Sequence, residues 1–190
     1  MKKNIRIILD LNGVVQEHYS KQIKRYGIRQ ILRFKLSPIV FINVLRKVGK
    51  PGVKVTKREK AFGDNFYKDN QHINTPFLSG AKEKVKELLS LGHPIHICSA
   101  NKHSEESDNR YAEFLTEEFG KFEEIHFVWP FTSKLDYYKS IKLRFPNDKI
   151  IVIDDSPRHI EEAKSLGFDT IKVDKNIGIA ALNFKNLHKQ

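Results

Sequence analysis

The sequence predicts an α/β domain of three layers: a mostly parallel five-stranded sheet between helices, with a helical segment inserted after the first strand. Three observations carry that prediction. Short apolar runs alternate with helix-period segments through residues 77–174, the pattern of repeated strand–helix–strand units. The first run, "IRIILD" at residues 5–10, is nearly continuous in apolar side chains, as a strand covered on both faces requires. The charge is also segregated. Residues 16–76 hold fourteen Lys and Arg against four Asp and Glu, and so account for ten of the chain's eleven net positive charges.

Each element follows from local signals. After the first strand and the insert, Ser79 is placed to cap a helix whose Ala81, Val85, Leu88 and Leu89 share a face, and Gly92 ends it. Residues 94–99 form the second strand. Ser104 followed by Glu105 and Glu106 opens a helix striped by Tyr111, Phe114, Leu115 and Phe119 and stopped by Gly120. Residues 125–128 are the third strand, and Ser133-x-x-Asp136 reads as a capping box for a helix holding Tyr137, Tyr138 and Ile141. Residues 149–154 are the fourth strand. Ser156-Pro157 starts a helix through Ile160, Ala163 and Leu166 that closes at Gly167, and residues 169–173 make the fifth strand.

Residues 1–15 and 77–190 are therefore read as the core, and residues 16–76 as a basic helical cap. The cap has an apolar centre at Ile39, Val40, Phe41, Val44 and Leu45 and a dividing turn, "GKPG", at 49–52. A 190-residue chain fits one domain with an insertion. The single Cys98 excludes an internal disulfide framework and fits a reducing compartment. Arg6, Asp10 and Asn12 break the first apolar run, so neither a signal h-region nor a membrane span is expected and the location is read as cytoplasmic. The basic insert either is a solvated helical surface or draws in phosphorylated partners, nucleic acid among them.

In sheets of this kind ligands bind beyond the carboxyl ends of the strands. The polar residues there are Asp10, Ser99, the Asp154-Asp155 pair and, past the third strand, Trp129. Asp10 and the Asp154-Asp155 pair converge in such a sheet, and carboxylates packed together call for a hard cation such as Mg²⁺. Ser99 and nearby backbone amides are placed to hold phosphate oxygens. Lys134, at the first turn of a helix, adds charge to the helix dipole; Lys139 is its rival but lies mid-helix. His18, His96, His103, His126 and His159 show no zinc-ligand spacing. Phe62, Phe66 and Tyr67 either stack a base or belong to the core of the cap. A carboxylate nucleophile, metal ligands, a hydroxyl and a lysine together suit phosphoryl transfer through an aspartyl-phosphate.

The stretches "ILDLNGVV", "HICSAN", Lys134 and "IVIDDSPRHI" resemble the four ordered motifs of the haloacid dehalogenase superfamily of phosphohydrolases. The resemblance spans roughly residues 4–174, with the insert where that family places a cap. "SGAKEKVKELLSLGHPIHICSAN" and "VIDDSPRHIEEAKSLGF" are most similar to its 5'(3')-deoxyribonucleotidase branch and that branch's bacterial and phage relatives. The resemblance implies a Rossmann-like core and Mg²⁺. It makes Asp10 the nucleophile and a metal ligand, with Asn12 lending its backbone carbonyl to the metal. Ser99, Ala100 and Asn101 would hold the transferring phosphoryl group, and Lys134 would neutralise it. Asp155 would be the inner metal ligand, with Asp154 holding a water or the lysine, although the sequence alone does not order that pair. A nucleoside monophosphate is the implied substrate, and a homodimer the implied assembly.

The departure from the family pattern is Asn12, where the resembled family has an aspartic acid that protonates the leaving oxygen and then activates water. An amide has no titratable proton near neutral pH and does neither. Three readings stay open: an engineered substitution that traps substrate, a native residue with slow turnover or another acid such as His18, and a module that grips phosphorylated ligands without hydrolysing them. A polynucleotide 3'-phosphatase is the alternative to a mononucleotidase.

Overall fold

The computed structural model describes residues 4–17, 56, 73, 75–102, 104–129 and 132–184. Five strands, β1 (Ile5–Leu9), β2 (Ile95–Ser99), β3 (Glu124–Phe127), β4 (Lys149–Asp154) and β5 (Asp169–Lys172), form one sheet in the order β3-β2-β1-β4-β5. Every neighbouring pair is parallel. Four helices connect them: α1 (Ala81–Ser90), α2 (Glu105–Phe119), α3 (Leu135–Arg144) and α4 (Pro157–Ser165). None of these is long and apolar enough to cross a membrane.

Alternation along the strands sorts the core into two layers. Ile7, Leu9, Ile95, Ile97, Ile151 and Ile153 pack with Val85 and Leu88 of α1 and Tyr111, Leu115 and Phe119 of α2. On the other face Ile8, Cys98, Ile150 and Val152 meet Tyr137, Tyr138 and Ile141 of α3 and Ala163 of α4. Each fully buried aliphatic chain contributes on the order of 1.5–3 kcal/mol relative to exposure. Register then places the polar strand ends: Leu9 lies opposite both Ile97 and Ile153, so Asp10, Ser99 and Asp154 emerge at one edge. The order in which strands are added reverses between β1 and β4, which is where a parallel sheet of this order opens a crevice.

Two local expectations need correction, and one element was not expected. Ser79 does not cap α1; Gly80 does, at φ 74° and without a side-chain bond, because the chain must turn sharply after Leu78 pairs with Val15. The capping box at α3 does not form. Lys134 is the cap residue, and the Ser133 hydroxyl accepts from the Leu135 amide at 3.0 Å. Asp136 is left fully exposed, and Glu162 of α4 accepts the Lys134 amide at 3.0 Å. After β5 the chain makes a 3₁₀ turn at Gly178–Ala181 that sequence periodicity does not signal. Ser104, by contrast, caps α2 by accepting from the Ser107 amide.

Most of residues 16–76, including the cap's apolar centre, its turn, His18, Phe62, Phe66 and Tyr67, lies outside the described residues. The root of the insert is described. Leu11 C=O accepts from the amides of Val14, Val15 and Gln16, forming a tight turn. Gln16 then bridges Phe77, Glu17 N–H donates to Pro76 O, and Leu78 N–H donates to Val15 O. The Gln16 amide is fully buried: its oxygen accepts from Tyr111 of α2, and its nitrogen donates to Thr75 O at 3.4 Å. The 3₁₀ turn seals this root, with Ile179 N–H donating to Val14 O at 2.8 Å.

A buried polar network lies at the opposite edge of the sheet. Arg6 bonds Asp148 at 3.0 Å and His96 Nε2 at 2.6 Å. Guanidinium only donates, so His96 Nε2 accepts and the ring proton sits on Nδ1, facing Tyr137 Oη and Glu124. Burial, followed by Arg6, lowers the His96 pKa against the opposing pull of Glu124. Burial also lowers that of His126.

Two outcomes follow. The unfolded chain protonates these histidines near 6.5 while the fold resists, so stability should fall as pH drops below that value. Denaturant midpoints across pH should show the fall, and His96→Gln should remove part of it. A Cβ on Gly178, at φ 62°, would meet Val14 O at 2.1 Å, so Gly178→Ala should cost about 2–4 kcal/mol in the same assay.

Candidate active site

The expected residues gather where β1, β2 and β4 end and α3 begins. Lys134 Nζ lies 2.8 Å from Asp10 Oδ1 and 2.8 Å from Asp154 Oδ2, and its side chain is only 1% exposed. Asp154 Oδ1 accepts from the Ser156 amide at 2.8 Å, so both of its oxygens are committed. Carboxylate oxygens of Asp10, Asp154 and Asp155 lie within 4.8 Å of one another. Among the described residues no other acidic, His or Cys cluster of this kind occurs. Lys139 is exposed, 3.9 Å from Asp136, and takes no part. Trp129 lies two residues beyond β3, with the Lys102 ammonium over its ring.

One ammonium cannot balance two buried carboxylates and a third that is half-buried, and the protonation equilibria follow from that. Burial raises Lys134's cost of charging, but Asp10 and Asp154 outweigh it and hold the lysine protonated, its pKa well above the usual lysine value. Burial would likewise raise Asp154; Lys134, helped by His159, instead holds it down to about 2. Asp10 is raised by burial and by the Asp154 charge, against Lys134. Asp155 is pushed up to about 7, first by burial and then by Asp10 and Asp154. The donor set is oxygen only and carries surplus negative charge, which fits a hard divalent cation. Gly13, at φ 76°, gives Asp155 its room: a Cβ there would sit 2.5 Å from Asp155 Oδ2.

Beside the carboxylates lies a patch of polar groups that donate. Ser99 is fully buried, and its Oγ has no hydrogen-bond partner among the described residues. The same holds for Asn101 Nδ2, on a residue 2% exposed. Ala100 bends the chain between them. Asn12 Nδ2 donates to Asn101 Oδ1 at 2.6 Å, tying the loop after β1 to the loop after β2. Two buried, unfilled donor positions near a lysine and a helix start suit an anion.

Sequence reasoning missed two residues here. His159 Nδ1 lies 3.3 Å from Asp154 Oδ2; its place in the first turn of α4, five residues after a strand-end aspartate, is the signal that could have found it. Gln16 reaches Tyr111 across 95 positions, and no local pattern announces such a pair.

No protein-family model matches the chain, and no curated protein matches it. Solved structures do. A haloacid dehalogenase-like hydrolase from Streptococcus pneumoniae aligns with a TM-score of 0.62 at 15% identity, over 94% of this chain and 88% of that one. A phosphonoacetaldehyde hydrolase-like protein from Oleispira antarctica gives 0.63 at 14% identity, over 99% and 82%. A haloacid dehalogenase family enzyme from Bacteroides thetaiotaomicron, in a magnesium complex, gives 0.60 at 12% identity over the full length of both. At these identities the likeness establishes the fold: a three-layer, Rossmann-like core of haloacid dehalogenase type.

Removing the lysine should expose the repulsion it relieves. Lys134→Met leaves Asp10 and Asp154 buried without a counter-charge and should cost about 3–5 kcal/mol. Denaturant unfolding should show this, with part of the loss recovered when a divalent cation is added.

Proposed function

We propose that this chain is a Mg²⁺-dependent phosphohydrolase that transfers a phosphoryl group to Asp10. The observation that carries the reading is the Lys134 ammonium held at 2.8 Å from both Asp10 and Asp154 beside a third carboxylate. Asp10 then attacks phosphorus, and Lys134 offsets charge on the phosphoryl oxygens. Ser99 Oγ and Asn101 Nδ2, both buried and unfilled, donate to those oxygens, with the Ala100 backbone between them. Asp10, Asp155 and the Asn12 carbonyl would hold the cation, which supplies electrostatic stabilisation of the transferring group; Asp154, committed to Lys134 and Ser156, positions the lysine.

The finer reading is a nucleotide-type phosphomonoester, on the motif resemblance to deoxyribonucleotidases. The ten surplus positive charges of residues 16–76 favour a polyanion as the second reading, a polynucleotide 3'-phosphatase. Asn12 gives no proton, and general acid–base help is worth about 10²–10⁴-fold, so phosphomonoester turnover should be slow; a module that binds phosphate without hydrolysing it is the alternative.

Phosphate release from nucleoside monophosphates and a 3'-phosphorylated oligonucleotide tests this. Release should require Mg²⁺, vanish in Asp10→Asn, and rise about 10²–10⁴-fold in Asn12→Asp. If Asn12→Asp is folded, binds the cation and is inert on every phosphoester, the phosphohydrolase reading fails. Tight binding of long nucleic acid with steep salt dependence would select the polynucleotide reading.

A further inference from the structure

We infer that Trp129, with Lys102 above its ring, recognises the organic part of the substrate: the indole stacks a planar ring that bears hydrogen-bond acceptors, such as a nucleobase. The phosphoryl-transfer reading of Asp10 supplies the place of the phosphate on which this rests. Trp129 and Lys102 add the selection of what the phosphate is attached to.

Main-chain bonds fix the position of Trp129. Phe127 at the end of β3 pairs with Ser99 at the end of β2, so the two strands finish level. The pairing then runs on into the loops: Val128 N–H donates to Ser99 O at 2.9 Å, and Lys102 N–H donates to Val128 O at 2.9 Å. Trp129 is the next residue, beside the loop that carries Ser99 and Asn101. Neighbouring strands lie about 4.8 Å apart, so a ring here is within reach of a group attached to the phosphate that Ser99 would hold. On its other side Trp129 O accepts from the Thr132 amide at 3.2 Å and from Thr132 Oγ1 at 2.6 Å. That turn delivers Lys134 to the start of α3. One residue thus adjoins both the proposed anion-holding loop and the lysine.

None of these bonds uses the indole. A smaller residue would close the same turn through the same carbonyl, so the ring needs another account. Core packing is the plain alternative for a tryptophan, yet the two core layers of the described residues are assembled without it. The ring is partly buried, and Lys102 Nζ stands 5.8 Å from its centroid. That distance is near the outer reach of a cation–π attraction, and Lys102 is exposed, so its stem can move aside as a ligand arrives. The indole offers a flat apolar face, and every nucleobase has a face to match it. The ammonium offers three N–H donors beside that face, suited to the carbonyl oxygens and ring nitrogens of a base edge. A sugar phosphate without a base gains no stacking.

Trp129 is the chain's single tryptophan, so tryptophan emission reports on this residue alone. The test titrates the full chain, in Mg²⁺, with a nucleoside 5'-monophosphate, ribose 5-phosphate or inorganic phosphate, following emission and heat of binding together. The nucleotide should quench Trp129 saturably over the range in which calorimetry shows binding; the other two should bind with little quenching. Trp129→Leu should weaken nucleotide binding by about 5–150-fold and leave ribose 5-phosphate unchanged. Trp129→Phe should restore most of that preference, and Lys102→Gln should lower it by about 2–5-fold. If Trp129→Leu does not fold, the quenching of the unaltered chain and the ratios in the other two variants decide. A nucleotide that binds without quenching, or keeps its advantage over ribose 5-phosphate in Trp129→Leu, overturns this inference, leaves the phosphohydrolase reading standing and moves base recognition elsewhere. Equal quenching by all three ligands overturns it as well. Binding of none of the three overturns the phosphohydrolase reading with it.

Discussion

A lysine ammonium with almost no solvent contact, 2.8 Å from each of two aspartates, is the constraint on which the carboxyl edge of the sheet depends. Desolvating such a charge is expensive, and its attraction to the carboxylates offsets the cost only if the geometry is held closely. The surroundings hold it. Asp10 continues the β1 ladder by donating its amide to Ile153 O, Asp154 ends β4, and Lys134 itself caps α3, with its own amide bound by Glu162 from α4. Two strands and two helices are thereby fixed around one charge. A buried ion pair is a poor source of net stability, but it specifies which ends must meet: here the carboxyl ends of β1 and β4 and the start of α3.

Much of this was legible in the sequence, and the reason is spacing. Strand and helix periods differ, so the alternation of elements could be read directly, and the strand-end residues followed from it. Asp10, Ser99, Lys134 and Asp154 needed only that alternation and the ordered motifs. The failures are of two kinds. At Ser133 and Asp136 a local rule was followed, but the helix takes Lys134 as its cap, one residue past the box, and a distant residue, Glu162, accepts that residue's amide. At Gln16–Tyr111, His159–Asp154 and Asn12–Asn101 the partner lies on another element, and nothing within a helical or strand window encodes it.

Asn12 is where local and global information meet. In the sequence it is a gap in a pair of carboxylates. In the fold its amide is matched by a second amide from the neighbouring loop, so the position is chemically consistent with its surroundings. An aspartate there would add a fourth carboxylate to a site with a single ammonium. The asparagine keeps the loop connection while adding no charge to a cluster that already pushes Asp155 up to about 7.

The root of the insert has a consequence for the history of the chain. Gln16 and Phe77 are paired, and the Gln16 amide is anchored to α2, so the core itself holds the two crossing points together. The entropy of closing a loop grows only logarithmically with its length, about 0.6 kcal/mol per doubling. Whatever lies between such clamped ends can lengthen, shorten or be exchanged at little thermodynamic cost to the sheet. The 3₁₀ turn at Gly178–Ala181, keyed into Val14, binds the far end of the polypeptide to that same junction. Segments of different length can thus be carried at this junction while the carboxyl edge of the sheet keeps its geometry.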